Sequence, residues 1–500
     1  MNRPIKSLRS PVTAIREGCA AVTDQPPRTI LLGTILLASA LSGLTGFVLT
    51  QYFAIDAMSS LLAFPYADCY LDWGTNIGRH CFSDYAYEVM FGMRANPWQP
   101  FEIVMQPDVH QTAVNNYPAA GTLPPLVFGL FGKLVGAPVI GLLGYLVALT
   151  IAALSPAVWA ARGACGLERI VVFVACGAAA VPVWSVIDRA NSVAFLAPIG
   201  LLFLIALIRQ RWGLVTAMVV LAALLKPQFV LLAIVLLAAR QWRWGGIAIG
   251  GAVALNLAAY AFWPQDFPHT IMQSAASTVG YASGSLGVVA TSNVSFSRSL
   301  LLAPDILMFL QTGGKMPEGF LAGPRALIGY VILVLVVGAV LALGRRIPPV
   351  IAGIVLLVTA SLFPIVSMSY YFVFALPIAA VLVRDPDGTP GSGIFDRLAS
   401  IARGHRTVGI WLSVSTALTI ATIALPSPPM QVLLYRKDGP PVSDLTVLTT
   451  ATLVPMLWLV ALAIVLVTYA RKPATNTSAR TAERTELPKP EVETASTTTS

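Results

Sequence analysis

From Thr29 onward the chain alternates long apolar runs with short clusters of arginine. A helix that crosses a bilayer takes roughly 17–25 apolar residues. By that measure the pattern predicts spans over 30–53, 137–161, 169–187, 191–208, 245–263, 325–344, 348–366, 368–383, 407–426 and 446–470. Two shorter apolar stretches, 213–225 and 228–239, raise the expected total to about 12 transmembrane helices. The predicted fold class is an all-α polytopic membrane protein. A segment 1–29 precedes one transmembrane module over 30–470, and a polar, aperiodic tail over 471–500 has the composition of a disordered segment. Two long loops interrupt the spans, at 54–136 and 264–324. Within the first, Leu123–Gly136 is too short and too rich in Gly and Pro to span easily, and it reads as a re-entrant or interfacial helix.

The stretch "GLVTAMVVLAALLKPQFVLLAIVLLAA" (213–239) admits two readings. As one Pro-kinked helix it would put Arg209 and Arg211 on the opposite side from Arg240 and Arg243. As a hairpin broken at Lys226-Pro227 it keeps both pairs on one side. Arms of about 13 residues reach about 20 Å at 1.5 Å per residue, so the hairpin tip stops short of the far surface. Non-helical backbone at that depth has to lie within protein or beside a water-filled cavity. The hairpin therefore predicts a cavity with Lys226 at its floor.

Composition sharpens this picture. Hydrophobic residues make up 56% and charged residues 11%, against about a quarter charged in soluble domains, and mean hydropathy is +0.75. The net charge of +9 falls in clusters between spans, which is the pattern of membrane topology and not of nucleic-acid binding. With the hairpin, every cluster lies on the side of the N-terminus: the N-terminal arginines through Arg28, then Arg162/Arg169, Arg209/Arg211, Arg240/Arg243, Arg345/Arg346, Arg384 to Arg406, and Arg471. Both termini are thus expected in the cytoplasm, in the plasma (inner) membrane, with the two long loops outside. The first span lacks a cleavage site and is read as retained.

The outer side carries the chemistry. "DCYLDWGTNIGRHCFSDYAYE" (68–88) holds Asp68, Asp72, Cys69 and Cys81. An extracytoplasmic cysteine pair can oxidise, and a Cys69–Cys81 disulfide is expected; no metal-binding spacing is seen. Asp68 and Asp72, at the tethered start of this loop, are read as catalytic carboxylates, with Asp56 a third candidate. The helix that follows places Phe82, Tyr85, Val89 and Met93 on one face and is read as lying on the membrane surface, with Asp84 and Glu88 on a solvated face. "SVIDRANSV" contributes Asp188, Arg189 and Asn191; "LLKPQFVLL" contributes Lys226 and Gln228; "NNYPAAG" contributes Asn116 and Tyr117; "ATSNVSFSRSLL" contributes Asn293 and Arg298. All nine are read as substrate-binding candidates. Asn293-Val294-Ser295 is also a glycosylation sequon. Carboxylates at a rim with Lys and Arg deeper in suit transfer of a group from a phosphate carrier to a hydroxyl: the acid takes the proton, and the cations meet charge growing on the departing phosphate.

These segments, in this order, resemble the polytopic glycosyltransferases of the GT-C fold, most closely glycosyltransferase family 87. The resemblance rests on the first-loop aspartates, "NYP" at 116–118, "DRAN" at 188–191, "KPQ" at 226–228 and "SNVS" at 292–295, over about residues 30–385. It implies a sugar donor carried on polyprenyl phosphate, with mannose or arabinose as the sugar, and a cell-envelope glycolipid or polysaccharide as acceptor on the outer face. By the same resemblance Asp68, then Asp72, is the base, Lys226 and Arg189 hold the phosphate, and Asp188 orients a sugar. No cofactor is required by this scheme, and a divalent metal is left open. The alternatives are a transporter or flippase of lipid-linked sugars, and a non-catalytic scaffold.

Overall fold

The computed structural model describes residues 24–53, 82–106, 109–284, 292–312, 317, 319–399, 404–433 and 442–471. The first long helix, α1 (Pro27–Phe53), is followed after an undescribed stretch by α2 (Ser83–Gly92), a two-stranded antiparallel ribbon of β1 (Phe101–Gln106) and β2 (Val109–Ala113), and α3 (Ala119–Leu134). Next come α4 (Pro138–Ala161), α5 (Gly166–Phe173) and α6 (Val181–Asp188); a π-helical turn at Val174–Ala178 separates the last two, which meet at a bend of 41°. Then follow α7 (Leu196–Ile208), α8 (Trp212–Leu225), α9 (Ile234–Ala238), α10 (Trp242–Ala259), α11 (His269–Gly284), α12 (Phe296–Leu300), α13 (Leu302–Gln311) and α14 (Ala322–Leu343). The chain closes with α15 (Pro349–Leu362), α16 (Ala375–Val383), α17 (Ile394–Ala399), α18 (Gly404–Ile420), a second ribbon of β3 (Ala424–Leu433) and β4 (Val442–Thr449), and α19 (Val454–Ala470).

This is a helical membrane protein. Among the described residues five helices are long and apolar enough to cross a bilayer, or six if the bent α5–α6 pair is one span. The other apolar helices are shorter. α15, with 14 residues, reaches about 21 Å, less than the roughly 30 Å of hydrocarbon. The expected count of about 12 included the two short arms of 213–239 and read 348–366 and 368–383 as spans, where the α-helices are 14 and 9 residues long. Residues 424–433 and 442–449 pair as an antiparallel ribbon, where the apolar pattern predicts the ends of the two flanking spans.

Two of the short helices, α15 and α16, occupy the middle of the bundle. Every residue of α16 is buried, as is α15 from Val350 onward. The lipid-facing helices, by contrast, expose apolar side chains, such as Leu37 and Phe47 on α1 and Val334 and Leu335 on α14. Interior helices touch closely where a small residue meets a large one: Phe203 and Leu207 lie against Gly353.

The Lys226-Pro227 break is a hairpin tip. α8 ends at Leu225, Lys226 is extended, and a 3-10 segment over Pro227–Ala233 leads back through α9. The returning arm brings Val235, Ala238 and Gln241 beside Gln210, Trp212 and Arg345. Three helices end on the same left-handed cap. Gln210, Arg240 and Ala190 have φ of 53°, 61° and 51°. Arg211 N–H then bonds Ala206 O, Gln241 N–H bonds Leu236 O, and Asn191 N–H bonds Val186 O, the paired bonds of a Schellman motif. The first two caps turn the chain at the arginine-rich end, the third at the opposite end.

Contacts between distant segments gather that basic end. Arg28 pairs with Glu168 at 2.7 Å, Arg209 with Asp387 at 2.9 Å, Arg397 with Asp385 at 3.1 Å, and Arg406 with Asp24 at 3.0 Å. α7, α8, α15 and the 3-10 segments leading into α9 and α16 each have arginine at one terminus. Their other termini, near Asn191, Lys226, Leu362 and Ser369, converge.

Candidate functional site

The site forms where those other termini meet. Asn191 has two tasks. Its Oδ1 accepts from Val193 N–H at 2.9 Å, capping the 3-10 turn into α7. Its Nδ2 donates to Asp84 Oδ2 at 2.6 Å and to the Tyr117 hydroxyl at 2.9 Å. Arg189, one residue before the left-handed Ala190, pairs with Asp84 Oδ1 at 2.9 Å. The same tip grips the start of α2 through the backbone: Phe82 N–H donates to Asp188 O, and Asp84 N–H to Arg189 O. Asp188 itself is buried.

Tyr117 is fixed from two sides. Its N–H donates to Asn115 Oδ1, and its carbonyl accepts from Trp98 Nε1, both at 2.9 Å. Trp98 packs with Tyr260 and Trp263 in a small apolar cluster that also contains Ala119, Ala120 and Leu126. Trp263 Nε1 donates to Gly92 O at 2.9 Å, so the same cluster holds the far end of α2. Lys226 Nζ stands 3.1 Å from the centre of the Tyr117 ring, a cation–π contact. Gln228 donates to Ala360 O at 3.3 Å and ties the hairpin tip to α15. Asn116 is half-buried, and its carbonyl accepts from Thr278 Oγ1.

Asp84 and Glu88 are not on a solvated face. Asp84 joins the Arg189–Asn191 network, and Glu88 is only 4% exposed. α2 lies against α3, where Val89 fills the space a side chain at Gly129 would take, and Tyr85 is buried against the Tyr145 ring at 5.2 Å. It is therefore clamped into the protein along the face that carries Tyr85, Glu88 and Val89. Among the described residues one Glu88 oxygen, Oε2, has no hydrogen-bond partner, and neither has the buried Tyr145 hydroxyl. Burial pushes the Glu88 carboxyl up to about 8; Lys226 and a hydrogen bond from Thr122 oppose that rise, and Asp84 adds to it.

Asn293 and Arg298 sit in the segment that pairs with the loop before Ser369. Asn293 is fully buried; its amide donates to Ile365 O at 2.9 Å and its Oδ1 accepts from Ser295 and Ser367 N–H, each at 3.0 Å. It staples the loop before the 3-10 turn at Ser369–Phe374, and its burial leaves no room for a glycan on the sequon. Ser295 caps α12 by accepting from Arg298 N–H. The Arg298 guanidinium shares Asp305 with the fully buried Arg325. Both side chains thus hold the fold here through these contacts.

Asp68, Asp72, Asp56 and the expected Cys69–Cys81 pair lie outside the described residues. The structure brings together Arg189, Asn191, Tyr117 and Lys226, with Asp188 and Gln228 on their tips. It adds Asp84, Glu88, Thr122 and Tyr145. One signal pointed to α2: "SDYAYEVMFG" carries aromatic or apolar residues all round its axis, so its two acids, one turn apart, have no polar face to share.

Chemically, the cluster pairs a buried carboxyl having a free oxygen with two cations, an amide and a phenol. Comparison with models of known protein families and with curated proteins finds no match to this chain.

Proposed function

We propose that the chain is a GT-C-like membrane glycosyltransferase, similar to family 87, that moves a sugar from a polyprenyl-phosphate donor to a hydroxyl of an envelope glycolipid or polysaccharide. The observation that carries this reading is Glu88. A buried carboxyl with an unpartnered oxygen sits within the electrostatic reach of Lys226, at the tip of a short helical hairpin. In this reading the acceptor O–H gives its proton to Glu88 as its oxygen bonds the anomeric carbon. The bond from that carbon to the phosphate oxygen breaks, and the electron pair leaves on the phosphate. Lys226 and Arg189 meet the charge that develops there, in a site where water is scarce and such contacts count most. Asp84 holds Arg189 and Asn191 in register. Tyr117 holds Lys226. The basic end faces the cytoplasm and the site opens outward, as the arginine distribution favours.

Asp68 and Asp72 are the competing bases, put forward by the family resemblance. Transfer of radiolabel from polyprenyl-phosphate mannose and arabinose, by purified wild type and by Glu88→Gln, Asp68→Asn and Asp72→Asn, decides among them. The expected result is transfer by wild type and loss in Glu88→Gln alone. Loss in Asp68→Asn with Glu88→Gln active moves the base to the first loop. If the donor is flipped and never consumed, the transporter reading replaces this one; the broken α5–α6 helix and the hairpin tip are features that transporters also use.

A further inference from the structure

At the end of the bundle opposite the site, a cavity of about 300 Å³ opens between three helix-to-helix turns. Its wall includes Gln210 and Trp212 from the α7–α8 turn, Ala239 and Gln241 from the α9–α10 turn, and Gly344, Arg345 and Ile347 from the α14–α15 turn. Arg28, Arg209, Arg397 and Arg406 at this end each have an acidic partner. Arg169 and Arg384 instead bond the backbone carbonyls of Ala164 and Trp159. Arg211, Arg240, Arg243, Arg345 and Arg346 are exposed on the turns around the cavity and have no ion-pair partner among the described residues. Topology alone asks for arginines on this side; it does not ask that five without an acidic partner stand around one hollow.

The remaining features suit an amphiphile. Trp212 lines the hollow and Trp242 is 64% exposed beside it, placing indoles where tryptophans anchor at a membrane interface. Leu341, one turn before Gly344, is exposed, as are Val334 and Leu335 further along α14; together they offer an apolar track away from the cavity. Gln210 and Gln241 add amide donors at the polar mouth.

We propose that this cavity binds the headgroup of an anionic phospholipid, with the phosphate at Arg345 and Gln241 and the acyl chains along α14. Basic pockets between helix ends on the cytoplasmic side bind such headgroups elsewhere. The site is independent of the glycosyltransferase reading.

The test is lipid retention by the purified full-length protein, measured by native mass spectrometry after exchange into detergent with phosphatidylglycerol or phosphatidylcholine. Wild type is expected to retain phosphatidylglycerol about tenfold better. Arg345→Gln combined with Arg240→Gln is expected to bring that ratio close to one, while Arg406→Gln, a paired arginine at the same end, leaves it unchanged. Unchanged far-ultraviolet circular dichroism certifies the fold of each variant; Arg345→Gln alone, expected to give an intermediate ratio, stands in if the double variant unfolds. Equal retention of both lipids by wild type overturns the proposal. So does an equal fall in Arg406→Gln, which would mean diffuse surface charge. Displacement of the lipid by millimolar inorganic phosphate would assign the cavity to a soluble anion and also overturn it.

Discussion

Glu88 is the residue on which most turns. Its carboxyl is held neutral by burial until about pH 8, whereas in the unfolded chain it ionises near 4.5. The folded state therefore gains from Glu88 at low pH and loses that advantage as pH rises from 4.5 through 8. Activity runs the other way, because a base must be ionised to take a proton. Wild type is expected to turn over faster as pH rises towards 8 while its melting temperature in detergent falls; Glu88→Gln should flatten the second trend and, by removing a general base, cost about 10²–10⁴-fold in rate. A pH series of transfer rates and melting curves on both proteins checks the two slopes. The sequence made Arg189, Asn191, Tyr117 and Lys226 legible as candidates, because polar residues at span ends are conspicuous. It hid the role of Asp84, because its partners come from a segment more than a hundred residues away: Arg189 is 105 positions from Asp84 and Asn191 is 107.

At the scale of elements, α2 is positioned by close packing as much as by charge. It rests on α3, and α3 rests on α4 where Gly141 faces the Phe128 carbonyl and the Tyr85 hydroxyl. A Cβ at Gly141 would overlap that carbonyl oxygen, and backbone cannot swing aside as a side chain can. Gly141→Val is expected to cost about 1–3 kcal/mol of stability by overpacking, with a lower melting temperature and, because α2 shifts with α3, a weaker transfer rate; melting curves and the transfer assay read both. The long spans were legible from run length alone. The caps were not: left-handed positions favour Gly or Asn, yet here they fall on Gln210, Arg240 and Ala190, whose letters announce nothing. The ribbon of β3 and β4 was also hidden, since its apolar residues merge with those of the neighbouring helices when only hydropathy is followed.

Across the whole molecule the governing feature is polarity between two ends. Arginines gather at one, and hairpin tips carrying Arg189, Asn191 and Lys226 meet at the other. Single cysteines at Arg211→Cys and Arg240→Cys, in a cysteine-free background, should both react with an impermeant maleimide from the same side of the membrane; a continuous helix over 213–239 would make them react from opposite sides. α8 and α15, of 14 residues each, reach about 21 Å, less than the roughly 30 Å of hydrocarbon, so in the proposed reading their tips stop short of the far surface. The most direct test of the central claim is release of free polyprenyl phosphate from a polyprenyl-phosphate sugar by the purified protein in lipid nanodiscs. The wild type is compared with Arg189→Gln combined with Lys226→Met. The account predicts release by wild type in the presence of acceptor membranes and a fall of roughly 10³-fold in the double variant, about the loss seen when an oxyanion-type contact is removed. No release by wild type, or equal release by both, would contradict it.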